Sequence, residues 1–251
     1  QAGLPLSGIA PFSAVRDSLL ECRAKNRLPE NARSVIVTAV SYYTGPLRGN
    51  VARYAALRDY HVVVTKLLEG ARGLLSKAFP GCAFEAFTDN SPIPEVYAAV
   101  LAGLGVRGGN GLLITPKYGS YVVLGELVTD LLLAPSVPRS GGCGSCGRCR
   151  EACPEPAAFS DKTLCVSGLT QKKGPLTQRE EELIKKAGTV FGCDRCQDVC
   201  PHNRAPKKTW VAEFYEGIVP TVDADTNLTE RAWAWRGRDV LRRNLDIVNN
   251  R

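Results

Sequence analysis

Methionine is absent from this 251-residue chain, and histidine occurs only twice, at His61 and His202. No apolar run is long. The longest, Tyr121–Ala134, is broken by Glu126 and Asp130 and falls short of the roughly 20 residues a spanning helix needs. A membrane-spanning helix is therefore not expected. The N-terminal QAGLPLSGIAPF has neither a basic n-region nor a continuous apolar stretch, so no signal peptide is expected and Gln1 is not an initiator. No P-loop and no Ser-His-Asp signature occurs. Charge of one sign is only mildly in excess, with 32 Lys and Arg against 25 Asp and Glu, net +7. Hydrophobic content of 44% and charged content of 23% are those of a globular protein, long enough for one large domain or two modest ones.

Cysteine is what the chain does have. Ten cysteines, about 4% of residues, are too few for a disulfide scaffold. Cys22 and Cys82 stand alone and read as buried thiols, while the other eight fall between Cys143 and Cys200. Clustering without a secretion signal reads as metal binding in a reducing compartment, by default the cytoplasm. Cys143-x2-Cys146-x2-Cys149-x3-Cys153-Pro154 is the bacterial ferredoxin run. In that run three closely spaced thiolates wrap one cuboidal cluster, and the fourth serves the other cluster. Cys193-x2-Cys196-x3-Cys200-Pro201 matches the last three positions of a second run, with Val190 at its first position and Cys165 as the nearby replacement. One [4Fe-4S] cluster thus takes Cys143, Cys146, Cys149 and Cys200; the other takes Cys193, Cys196, Cys165 and Cys153. Zinc knuckles use paired CxxC units and fit the spacing less well. Each oxidised cluster with its four thiolates carries about −2, which brings the loaded protein nearer to about +3.

Around this module the chain divides in composition. Up to about residue 135 helical and strand patterns mix in one layered fold. Residues 16–27 and 53–79 read as helices, the latter with Gly70 and Gly73 weakening its end. Segments 34–41, 83–88, 112–115 and 120–127 read as strands. Residues 136–205 form the ferredoxin-like module, with a helix opened by a Thr177/Glu180 capping box. Residues 206–251 read as a C-terminal helical segment packing back on the first domain, its Arg-rich 231–248 stretch forming a terminal helix.

Some motifs mislead. Gly103-Leu-Gly105-Val-Arg-Gly108 fits the dinucleotide fingerprint, but a helix precedes it and a strand follows, the reverse of what phosphate binding requires. A tight turn is the better reading. His61 falls on the polar side of its helix, as a solvated histidine does. Asp89 in TDNSP reads equally as a turn or helix-capping residue.

Taken together, VARYAALRDYH (51–61), TDNSPIPE (88–95), AGLGVRGGNGLLIT (102–115), YGSYVVLGELVTDLLL (118–133), CGSCGRCREACP, LCVSGLTQKKGP (164–175) and FGCDRCQDVCPHNR resemble the epoxyqueuosine reductase family. The match runs from about residue 35 to 205. The resemblance implies an α+β fold: a cobalamin-binding α/β domain of nitroreductase and reductive-dehalogenase type, carrying a bacterial ferredoxin-like two-cluster module. It implies an iron–sulfur, cobalamin-dependent oxidoreductase that reduces the epoxide of epoxyqueuosine in the tRNA anticodon to queuosine. The family's proton donor falls on Asp89, a role that asks for a desolvated carboxyl with a raised pKa. Asp89, Arg53, Tyr54, His61, Ser167, Thr170, His202 and Asn203 would contact cobalamin or substrate. Two departures stand out. The family usually reads G-L-G-W-[IL]-G-K-N where this chain has GLGVRGGN, and full-length members continue into a helical-repeat segment that helps hold tRNA, so the sequence resembles a short form. Expected partners are tRNA and a low-potential electron donor such as ferredoxin or flavodoxin, with no membrane. The other functions open to these residues are the same cofactors acting on a non-tRNA substrate, and a ferredoxin-like electron-transfer protein.

Overall fold

A computed structural model describes residues 3–249. The chain forms two compact units, one from the chain up to Ser41 together with His61–Ser145, the other from Tyr42–Tyr60 together with the chain from Cys146 on.

The first unit is built on an antiparallel sheet. Its elements in chain order are β1 (Ser7–Pro11), β2 (Ser34–Ser41), α1 (Tyr60–Ala78), β3 (Phe84–Phe87), α2 (Glu95–Leu101), the short pair β4 (Val106–Arg107) and β5 (Leu113–Ile114), and β6 (Val122–Thr129). The sheet order is β1-β2-β6-β3, and β2 pairs with β6 along its whole length, from Ser34↔Thr129 to Ser41↔Val122. The β-branched run SVIVTAVS suits this central position, flanked on both sides. Because side chains alternate across a strand, Val35, Val37 and Ala39 of β2 and Leu124 and Val128 of β6 share a face, and they enter one core with Ala98 and Ala99 of α2. Gly125 points the other way, where a Cβ would stand 2.8 Å from Leu68 and 3.1 Å from Val64 of α1. The unit is therefore a three-layer sandwich, α2 over the sheet over α1.

Local deviations from the sequence reading have local causes. Residues 16–27 form two 3-10 turns, Arg16–Ser18 and Arg23–Arg27, because Leu19 turns extended and Leu20 donates its N–H to Pro92 O. The long apolar stripe from residue 53 breaks into Arg53–Ala56 and α1, since Leu57 is extended. Gly103-Leu-Gly105 is the turn from α2 into β4: Gly103 has φ +73°, and a Cβ on Gly105 would lie 2.2 Å from Ile114 O.

The second unit contains α3 (Gln178–Ala187), opened by the expected capping box, and α4 (Arg238–Asn249). Residues 206–249 cluster with the cysteine-bearing segments and with Tyr42–Tyr60, a stretch that the sequence places in the first domain. The reason is chemical. Leu241 and Leu245 share a core with Phe191, Trp233 and Val222. Asn244, fully buried, donates from Nδ2 to Thr170 O at 2.7 Å and Val190 O at 2.9 Å. The terminal helix also starts later than expected, because Gly237 at φ +92° separates a 3-10 turn, Ala234–Arg236, from α4. Replacing Asn244 by Leu leaves two buried carbonyls unpaired, and should cost roughly 2–4 kcal/mol; a denaturant midpoint equal to that of wild type would contradict this packing.

Candidate active site and cluster loops

In the second unit the cysteines gather as the spacing demands. The Cys149 thiol is raised by burial and by its neighbours Cys146 and Cys200. Burial pushes the Cys193 thiol up to about 11, with Cys165 and Cys153 beside it. Cys146 and Cys200 thus stand near Cys149, and Cys153 and Cys165 near Cys193. Cys143, in the first unit, has its thiol pKa lowered by hydrogen bonds from the Ser145 and Gly109 backbone N–H groups. The turns that aim these amides use left-handed backbone at Gly144, Ser145 and Gly147. Among the described residues no three His, Cys, Asp or Glu side chains converge tightly enough for a single ion. Such wider thiol groups, part-buried and lined by backbone N–H, suit a cuboidal cluster better than zinc.

Other polar residues turn out to build the loops around the clusters. Arg53 was expected near the corrin or substrate. Its backbone N–H donates to Asp194 Oδ2 at 2.7 Å, and its guanidinium bonds to Asp194 at 3.2 Å and Asp198 at 2.5 Å. It thereby ties the Cys193–Cys200 loop. Tyr54 packs edge-on to Tyr42 and Tyr60 and accepts a hydrogen bond from Gln171 at 3.4 Å. Thr170 is fully buried, donating to Ser167 O and accepting from Gly192 N–H, so its hydroxyl holds the loop before Cys193. Asn203 donates to Gln197 O at 2.8 Å, and Gln197 in turn bonds Asp194 and Tyr42. His202 lies exposed in the turn Pro201–Asn203. Ser167, His202 and Asn203 offer hydroxyl, imidazole and amide groups, a donor set that fits the amide-rich rim of a corrin. Asp194, Gln197 and Gln171 escaped sequence reasoning, since single polar residues inside a cysteine loop carry no periodic signal.

The first unit holds the other site. Asp89 and Asn90 both take left-handed backbone, φ 52° and 38°, which short polar side chains tolerate. Asp89 Oδ1 accepts the Asn90 N–H at 2.9 Å, and Oδ2 stands 3.1 Å from His61 Nε2. Periodicity alone reads His61 as a solvated residue and Asp89 as a turn or cap, while the resemblance sets both at the cofactor or substrate; the structure pairs them. Asp89 does not cap α2, whose N-cap is Pro94. Nor is it desolvated: its side chain is 53% exposed, against 31% for His61. It lines a cleft of about 540 Å³ with Cys22, Asn90, Glu95, Tyr97 and Arg107.

The desolvated carboxyls lie behind it. Glu95, the first residue of α2, accepts a hydrogen bond from the Asp89 N–H, yet burial and the nearby Asp89 charge push it from 4.5 to about 7. Glu126 is fully buried in the middle of β6, opposite Val37. Burial, then Glu95, raise it well above the usual carboxylate range, which the Ser91 hydroxyl only partly offsets. Neither Glu126 oxygen has a hydrogen bond of good geometry. Glu126 was seen in the sequence only as an interruption of an apolar run.

Fold and site together define an iron–sulfur oxidoreductase: a 4Fe-4S double cluster binding domain matches residues 142–203, beside a layered α+β unit bearing an acid–imidazole pair. The Epoxyqueuosine reductase QueG, DUF1730 family model matches residues 23–90. An epoxyqueuosine reductase of Synechocystis sp. is 40% identical over 223 residues, covering 81% of this chain and 75% of the relative. The chain belongs to the epoxyqueuosine reductase family. It spans 55–75% of the length of eight curated members. A solved epoxyqueuosine reductase of Bacillus subtilis, with its catalytic aspartate loop swung out of the active site, is 25% identical at TM-score 0.81. Another, solved with an epoxyqueuosine-modified tRNA-Tyr stem loop, is 25% identical at TM-score 0.80. Each alignment covers 98% of this chain and 77% of the solved one.

A carboxyl whose pKa is higher in the folded state than in the unfolded state costs stability as pH rises between the two values. For Glu95 that interval runs from 4.5 to about 7, a loss of roughly 3 kcal/mol at 1.36 kcal/mol per unit. Glu126 adds to it in the same direction. Glu126→Gln, which keeps the shape of the neutral acid, should therefore flatten the fall in unfolding free energy between pH 5 and 8. Denaturation curves at the two pH values check this, and a pH dependence identical to wild type would contradict it.

Proposed function

We propose that this protein removes the epoxide oxygen of epoxyqueuosine in the tRNA anticodon region, leaving queuosine. The observation that carries the reading is the Asp89–His61 pair, with Asp89 on a left-handed turn that lines a cleft. Removal of the oxygen as water takes two electrons and two protons. Bound cobalamin would supply low-valent cobalt, kept reduced through the two clusters by a low-potential donor such as ferredoxin or flavodoxin.

The chain's own residues have separable tasks. Asp89 delivers one proton to the departing oxygen, the other coming from solvent, and His61 orients the Asp89 carboxyl through Oδ2. Cys143, Cys146, Cys149 and Cys200 hold one cluster; Cys153, Cys165, Cys193 and Cys196 hold the other. Ser167, His202 and Asn203 would hold cobalamin by its rim, while Arg53, Tyr54 and Thr170 keep the Cys193–Cys200 loop in shape. Work at low potential suits a reducing compartment such as the cytoplasm, and no helix among the described residues is long and apolar enough to cross a membrane.

Anaerobically purified protein should carry about eight irons, and Cys165→Ala about four, with the remaining cluster spectrum intact. Zinc in place of iron would sink the assignment. With cob(II)alamin and a low-potential reductant, the wild type should turn over epoxyqueuosine-containing tRNA, and Asp89→Asn should lose about 10²–10⁴-fold in kcat. Undiminished turnover in that variant would remove Asp89 from the donor role.

A further inference from the structure

The cleft that Asp89 lines has walls the reaction so far leaves unused. Three segments of the first unit build it: the turn at Leu20–Cys22, the stretch from Asp89 into the start of α2, and the β4–β5 hairpin. Leu20 N–H to Pro92 O at 2.8 Å fastens the first to the second. The hairpin is fixed by Gly108 N–H to Leu112 O at 2.8 Å and by Asn110 Oδ1, which accepts the Leu112 N–H at 3.2 Å. Among the described residues that line the cleft, Arg107 of β4 is the only cation, and its exposed side chain makes no ion pair or hydrogen bond with another described residue. Two acids of the cleft are already engaged, Glu21 with Lys25 at 2.5 Å and Asp89 with His61 at 3.1 Å. Tyr97 of α2, next to the buried Ala98 and Ala99, is left 44% exposed.

An unpaired guanidinium and an open aromatic ring in one cleft suit a nucleotide, the first taking a phosphate and the second a base. The substrate proposed above is of that kind, because the bases of an RNA loop are unstacked and are recognised by stacking on aromatic side chains. The cleft, about 540 Å³, lies within the roughly 300–1,000 Å³ of pockets for drug-sized ligands, which is room for a nucleotide. We propose that Arg107 and Tyr97 hold the RNA strand beside the modified base, Arg107 by a backbone phosphate and Tyr97 by stacking on a neighbouring base, so that the epoxide is presented to Asp89. This rests on the tRNA reading and deepens it by naming the residues that grip the strand. A phosphate-free nucleoside gains nothing from Arg107, which separates an RNA substrate from a small neutral one.

The test uses the full chain with both clusters and an epoxyqueuosine-bearing anticodon stem loop, with binding followed by fluorescence anisotropy between about 50 and 200 mM salt. Arg107→Gln should weaken binding several-fold and reduce the slope of log affinity against log salt by about 0.7, the contribution of one single-strand phosphate. Arg107→Lys, which keeps the charge, should keep the slope. Tyr97→Ala should weaken binding about 10-fold with the slope unchanged, and Tyr97→Phe, which keeps the ring, should restore it. In turnover with cobalamin and a low-potential reductant, both losses should fall on KM rather than kcat. The free epoxyqueuosine nucleoside should bind Arg107→Gln and wild type equally; an equal loss on the nucleoside would overturn the phosphate contact. Affinity and slope at wild-type values in both Arg107→Gln and Tyr97→Ala would overturn the proposal outright. If wild type binds the stem loop through these residues but leaves the epoxide intact, the functional reading falls and the site stands. If it reduces the epoxide while both variants keep the wild-type KM, the site falls and the function stands.

Discussion

The ladder between β2 and β6 is the constraint on which the first unit depends. Eight residue pairs run from Ser34↔Thr129 to Ser41↔Val122, and every other layer is placed by which face of these strands it covers. One face takes α2 through Leu124, Val128 and Val37; the other takes α1 through the gap left at Gly125. Because the side-chain period is two, a slip of one residue would exchange the faces. It would also carry Glu126 from the α2 side, where Glu95 and Ser91 are, to the α1 side. The register of one strand pair thus sets the electrostatics behind Asp89.

That placement explains an apparent contradiction. A fully buried carboxyl without a close partner is costly, and β6 is otherwise apolar across its centre. The cost is intelligible where the group serves a neighbour. Glu95 raises Glu126, and the Asp89 charge raises Glu95, so the protons stay on the buried glutamates beside the exposed Asp89. In the second unit the corresponding device is the Arg53–Asp194–Gln197 network, where one cation and buried acceptors hold the Cys193–Cys200 loop.

The cluster module was legible in the residues because its chemistry is written in short spacings. Four cysteines at x2-x2-x3 before proline, followed by a second run ending in proline, mark a double-cluster domain without tertiary information. The capping box at Thr177 and the turn at Gly103–Gly105 were local in the same sense. The broken helix after Ala56 and the 3-10 turns at residues 16–27 were not, because distant partners decide them: Asp59 N–H goes to Glu230 O and Leu20 N–H to Pro92 O. The Asp89–His61 pair was likewise invisible to periodicity, since the two residues are 28 positions apart on a helix and a turn.

By itself, the sequence determined the two-cluster module and three of the four strands of the sheet, β2, β3 and β6, and its family motifs pointed to Asp89. These are properties of residue type at fixed separation, and separation along the chain is what covalent geometry preserves. Only the tertiary structure decided that Asp89 is exposed, that His61 faces it, that Thr170 and Arg53 hold a cysteine loop, and that two glutamates form its buried backing. Each of these depends on water being excluded at one side chain and not at another. Exclusion is set by packing across elements distant in sequence, and no local pattern encodes it.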